Sequence, residues 1–132
     1  MPGSFLDSNV LIYLASGDAG KARRAEAVLA AGGTVSVQVL NEIANIGRRK
    51  MGLDWSELGD FLGAIRALVT VVPLTVETHL RGLKLAERHA LSLYDAMIVA
   101  AALEAGCNVL LSEDMHDGLV VEDSLRIANP FR

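Results

Sequence analysis

Asp7 is the only charged side chain between Met1 and Gly17. It follows the short apolar stretch Ser4 to Leu6 and precedes the apolar run Val10 to Ala15, so it falls where a first strand ends and a helical turn begins. In a parallel sheet that is the end at which sites gather. The same residue can equally cap the helical turn, a role worth about 1 kcal/mol. Asp95 is a second isolated acid, the lone charge in the run Leu91 to Leu103. Its helix is expected to be almost wholly buried, and a buried carboxylate needs a partner. Ser92-Leu93-Tyr94-Asp95 has the spacing of a capping box, which leaves a second carboxylate oxygen free for other work.

Glu42 flanks an apolar stripe of Val39, Leu40, Ile43 and Ile46, and Asp114 follows Leu110-Leu111-Ser112-Glu113. Alone, the first reads as a surface acid and the second as a turn former. As a set with Asp7 and Asp95 they fall after strands or at a helix start, where a parallel sheet could gather them at one edge. Carboxylates meeting there would repel one another by up to about 4 kcal/mol per close pair at an effective dielectric of about 20. A hard divalent cation removes that penalty, and oxygen-only ligands favour Mg²⁺ or Mn²⁺. His79, His89 and His116, with the single Cys107, offer no zinc spacing and are assigned to surface or core.

The elements that must position these acids follow from pattern. Strands are expected at Ser4 to Leu6, Thr34 to Val37, Val71 to Val72 and Val109 to Leu111, with Leu119 to Val121 and Leu125 to Ile127 pairing as a terminal hairpin. Helices are expected from Ala19 to Ala31, ended by Gly32-Gly33, and along the Val39 stripe to about Lys50. Asp54-Trp55-Ser56-Glu57 has capping-box spacing and opens a helix to about Val69 whose apolar face is assigned to the core. Two more run from Thr75 to about His89 and from Ser92 to Ala105, the latter stopped by Gly106. Strands alternating with helices, in short runs suited to burial on both faces, predict an α/β three-layer sandwich: a mainly parallel sheet of about five strands flanked by helices. The length suits one domain over residues 1–132.

Once the motifs are set in order, the sequence resembles the PIN-domain family, and within it the VapC toxins. Phe5-Leu6-Asp7-Ser8-Asn9-Val10-Leu11 looks like the family's opening motif, and Ser36-Val37-Gln38-Val39-Leu40-Asn41-Glu42 like its second. Leu91-Ser92-Leu93-Tyr94-Asp95-Ala96 looks like the third and Leu110-Leu111-Ser112-Glu113-Asp114 like the fourth. Arg126-Ile127-Ala128-Asn129-Pro130-Phe131 is similar to the tail of many VapC-type members. The resemblance covers essentially the whole chain. It implies that Asp7, Glu42, Asp95 and Asp114 form an acidic tetrad, both catalytic and metal-binding, holding one or two Mg²⁺ or Mn²⁺ ions for hydrolysis of RNA. Ser8 stands where many members have Thr, and Asn9 matches an amide that helps orient Asp7. Glu113 and Asp117 crowd the fourth motif, so either is a rival to Asp114. The resemblance also implies a small VapB-type antitoxin as partner and a homodimer.

Composition bounds this reading. Twelve Lys and Arg against sixteen Asp and Glu give a net charge of -4, the wrong sign for holding nucleic acid by bulk charge. RNA contact must then be local, and Lys21 with Arg23 and Arg24, Arg48 to Lys50, and Arg81 with Lys84 and Arg88 are the available clusters. The longest apolar run, Ala96 to Leu103, is far short of the roughly 20 residues a membrane helix needs. With no secretory leader pattern and one cysteine, a soluble cytoplasmic protein is expected. Two rivals use the same residues. A receiver-type or dehalogenase-type phosphoacceptor also places Asp after its first strand, but one needs paired acids there and a late Lys, and the other an Asp where this chain has Asn9. A PIN-like fold that has lost catalysis and serves as a scaffold or RNA adaptor would have no reason to keep all four acids.

Overall fold

The computed structural model describes residues 3–132. In chain order the elements are β1 (Ser4–Leu6), α1 (Ser8–Leu11) running into a 3₁₀ turn (Ile12–Ala15), α2 (Ala19–Ala30), β2 (Thr34–Ser36), α3 (Val37–Arg49), α4 (Trp55–Arg66), β3 (Thr70–Val72), α5 (Val76–His89), α6 (Leu93–Glu104), β4 (Val109–Leu111), β5 (Val120–Val121) and β6 (Leu125–Ala128). The strands form one sheet in the order β3-β2-β1-β4-β6-β5, parallel except for the β5–β6 pair. The expected mainly parallel sandwich is therefore present. It has six strands rather than about five, because the terminal hairpin joins the main sheet through β6.

Burial on both faces explains the short continuous apolar strands. Phe5, Leu6, Val35, Leu110 and Ile127 are fully buried and join Val10, Leu11, Val39, Ile43, Ile65 and Ile98 in one core. The residues of α6 from Ala96 to Ala102 are buried, and α5 approaches this helix closely at a glycine. A Cβ built on Gly82 of α5 would lie 2.7 Å from the Met97 sulfur. Gly32, at φ 84, ends α2 in the left-handed conformation that glycine adopts without penalty. Two expectations fail locally. The first residues of α6 are exposed, so Asp95 is half-buried rather than deep in the core. Trp55, assigned with its helix to the core, is 71% exposed, because it is the first residue of α4 and lies against the Arg48 guanidinium at 4.3 Å.

The topology decides what lies at the carboxyl edge. The chain winds outward from β1 to β2 and β3, then returns to place β4 on the other side of β1. The switch point therefore falls between β1 and β4, where a crevice forms beyond the strand ends. Residues following β1 and β4 reach it directly. Helix α3 begins there because it follows β2, and α6 begins there because it must run down the sheet to enter β4.

Candidate functional site

Asp7 sits where β1 gives way to α1, and its backbone N–H extends the ladder to the Leu111 carbonyl at 3.0 Å. It is the cap of α1, accepting from the Ser8 N–H at 2.7 Å, so the capping role is real. The carboxylate does more. It also accepts from the Ser112 hydroxyl at 2.8 Å and from the Asn9 amide at 3.2 Å. Only 2% of the residue is exposed, and its pKa is pushed up to about 6. Burial is the largest cause, offset in part by the Ser112 bond and reinforced by the negative charges of Glu42 and Asp95.

Glu42, in the second turn of α3, is reached from the Asp7 side: the Ser8 hydroxyl donates to it at 2.7 Å, and the Gln38 amide donates at 3.1 Å. Ser8 thus bridges two acids. Asp95 lies in the first turn of α6, where the Ser92 hydroxyl accepts from its N–H at 3.2 Å. Half of the expected capping box is formed; among the described residues no carboxylate bond returns to the Ser92 backbone, unlike the reciprocal box at Asp54 and Glu57. The Asp95 pKa is raised, first by burial and further by the charges of Glu42 and Asp114.

The fourth motif sorts its own acids. Glu113 is held by the Tyr13 hydroxyl at 2.6 Å and by Lys21 at 2.5 Å, and these bonds keep its pKa below the ordinary range. Asp117 accepts from the Asn129 N–H at 2.9 Å and pairs with Arg132 at 3.3 Å. Asp114 is exposed, its side chain bonds none of the described residues, and its charge reaches Asp95. Asp7, Glu42, Asp95 and Asp114 therefore share one end of the sheet and one electrostatic field.

They do not form a ready cage, since among the described residues no three His, Cys, Asp or Glu side chains converge closely enough to hold an ion. Neutral donors satisfy Asp7 and Glu42 individually, which holds these carboxylates in place without drawing the set together. The donor set still fits a hard divalent cation: it is all oxygen, and two of its members are pushed toward protonation partly by their neighbours' charge. A cleft of about 560 Å³ lies elsewhere, beside Ser4, Gly33, Thr34 and Cys107, and contains none of these acids.

A family model for the PIN domain matches residues 4–116, which span all four acids. This chain belongs to the PIN domain family. Its fold is also that of solved structures: a toxin–antitoxin complex from Klebsiella pneumoniae matches with TM-score 0.74 and 20% identity, covering 97% of this chain and 98% of that one. VapC20 from Mycobacterium tuberculosis, described as a Sarcin-Ricin loop cleaving toxin, matches at TM-score 0.68 and 20% identity over 82% of this chain and 87% of that one. DNA-bound VapBC from Salmonella typhimurium gives TM-score 0.72 and 16% identity, covering 98% and 99%. No curated protein sequence matches. Within the PIN fold of this chain, sequence reasoning passed over Ser112 and Gln38, the donors to Asp7 and Glu42. It also passed over the Tyr13 and Lys21 contacts that engage Glu113. A hydroxyl at the end of β4, parallel to Ser8 at the end of β1, was the available clue to Ser112.

Proposed function

We propose that this PIN domain is a metal-dependent endoribonuclease that hydrolyses RNA phosphodiester bonds, the toxin of a VapBC-type pair acting in the cytoplasm as one domain over residues 1–132. The observation that carries the reading is the buried Asp7 carboxylate, pushed up to about 6 at the carboxyl edge of the sheet and within the field of Glu42 and Asp95. A buried acid kept at that cost, beside other acids, is better explained by a task than by folding. Asp7, Glu42, Asp95 and Asp114 would hold Mg²⁺ or Mn²⁺, which when bound lowers the pKa of a water and polarises phosphoryl oxygens.

The chain's own groups do the positioning. Ser112 and Asn9 fix one Asp7 oxygen, and the Ser8 N–H fixes the other. Ser8 and Gln38 fix Glu42. Glu113, tied to Lys21 and Tyr13 and bonded through its N–H to Asn9 at 3.0 Å, anchors the loop that carries Asp114. Exposed Arg23, Arg49 and Lys50 supply phosphate contacts despite the net charge of -4. A small VapB-type antitoxin is the proposed partner, supported by the complexes among the similar structures. A homodimer is supported by Val76, Leu80 and Leu83, exposed on α5.

The deciding experiment incubates purified protein with RNA, with and without chelator, beside Asp7→Asn. Cleavage is expected from wild type only with Mg²⁺ or Mn²⁺, and should fall at least a hundredfold in the variant. A folded Asp7→Asn protein that cleaves at the wild-type rate would refute the proposal.

A further inference from the structure

Between α3 and the start of α6, beside the acidic edge, lies a cleft of about 320 Å³ lined by Gln38, Asn41, Glu42, Asn45 and Tyr94. Four of these residues recur at i, i+3, i+4 and i+7 on α3 and so share one face of the helix. The fifth comes from the residue before Asp95. We propose that this cleft seats one unpaired nucleobase of the RNA next to the bond to be cut, stacked on Tyr94 and read by the amides of Asn41 and Asn45. The inference rests on the nuclease reading above and names how that same site selects its substrate.

Three observations support a base rather than a phosphate or a sugar. The lining holds an aromatic ring and amides but no cation, and the Glu42 carboxylate in its wall repels a phosphate. Tyr94 is 63% exposed, and among the described residues its ring has no aromatic or cationic partner, in contrast to Tyr13 and Trp55. A free ring of this kind is the platform on which single-stranded bases stack. The amides are also available. Gln38 is committed to Glu42, whereas Asn41 and Asn45 make no side-chain hydrogen bond among the described residues. Each therefore offers both a donor and an acceptor, the pair needed to read a base edge.

The cleft also has a continuation. Asn45 lines a second cleft with Ile46, Arg49 and Lys50. Arg49 lies one helical turn beyond Asn45, about 6 Å along the axis. A strand whose base rests on Tyr94 would thus lead one way to the acids, through Glu42, and the other way to exposed cations suited to the next phosphate. The neutral and acidic stretch takes the base, and the basic stretch takes the backbone.

The test uses a short single-stranded RNA in which 2-aminopurine is moved through each position, bound in Mg²⁺ to the Asp7→Asn protein so that binding is read without cleavage. Fluorescence should be quenched at one position. Adding Tyr94→Leu should remove that quench and weaken binding about tenfold. Tyr94→Phe, which keeps the ring, should preserve both and so shows that the Leu variant's loss is one of stacking. With Asp7 intact, Asn41→Ala and Asn45→Ala should flatten the base preference at the cleavage site while metal-dependent cleavage continues. If RNA binds with no quenched position, or Tyr94→Leu leaves affinity and preference unchanged while wild type still cleaves, the base pocket is wrong and the nuclease reading stands. RNA that is neither bound nor cleaved by wild type overturns both.

Discussion

At the scale of single residues, Asp7 combines a helix cap with a buried carboxylate that further donors engage. Capping α1 uses one oxygen, and the Ser112 and Asn9 contacts use the other. The cost is electrostatic. A carboxyl whose pKa rises from 3.8 to about 6 on folding favours the native state while protonated, and that contribution is lost as pH rises through the folded value. Above that pH the buried charge costs about 3 kcal/mol, taking roughly 1.4 kcal/mol for each of about two units. Asp7→Asn, near in shape and neutral, should therefore melt higher than wild type at pH 7.5 in chelator, with the gap closing toward pH 4. Melting curves across that range check this; a variant less stable than wild type at pH 7.5 would show that the carboxylate is held there by something other than function. Asp95 is raised for the same first reason, burial, so the two residues push the acid-side stability in one direction.

At the scale of elements, the starts of α3 and α6 bring Glu42 and Asp95 to the edge, and their caps are local chemistry. Asp54 and Glu57 bond reciprocally, at 2.7 and 2.9 Å, and hold the start of α4, where Trp55 lies against Arg48 in the last turn of α3. Asp54→Ala should lower stability by about 1 kcal/mol in denaturant titration and leave RNA cleavage at the wild-type rate. A large loss of cleavage would mean that α4 helps position α3 and hence Glu42. The caps of α3 and α6 belong to the other class. Ser36 and Ser92 set where those helices begin, and with that where Glu42 and Asp95 stand relative to Asp7.

At the scale of the whole molecule, the acids are a fold-level product. They come from positions 7, 42, 95 and 114, and only the crossing from β3 back to β4 puts them at one switch point. A cation that binds them should therefore stabilise the entire fold. Wild type is expected to melt higher with rising Mg²⁺ or Mn²⁺, by about 2.7 kcal/mol at a hundredfold excess over the dissociation constant, and Asp7→Asn should respond far less. Equal responses in the two proteins would place the ion elsewhere.

The sequence determined a good deal unaided. The isolated charges of Asp7 and Asp95 in apolar surroundings marked them out, and the short apolar strands, the Asp54 box and Gly32 fixed the element order, because these depend on neighbours in the chain. Tertiary structure decided what depends on distant neighbours. It joined the terminal hairpin to the sheet, left Asp95 half-buried and Trp55 in solvent, tied Glu113 to Lys21 and Tyr13, and left Asp114 exposed with no side-chain bond among the described residues. The reason is physical: capping and periodicity act over one turn, whereas burial and charge coupling act across a sheet whose order local pattern does not encode.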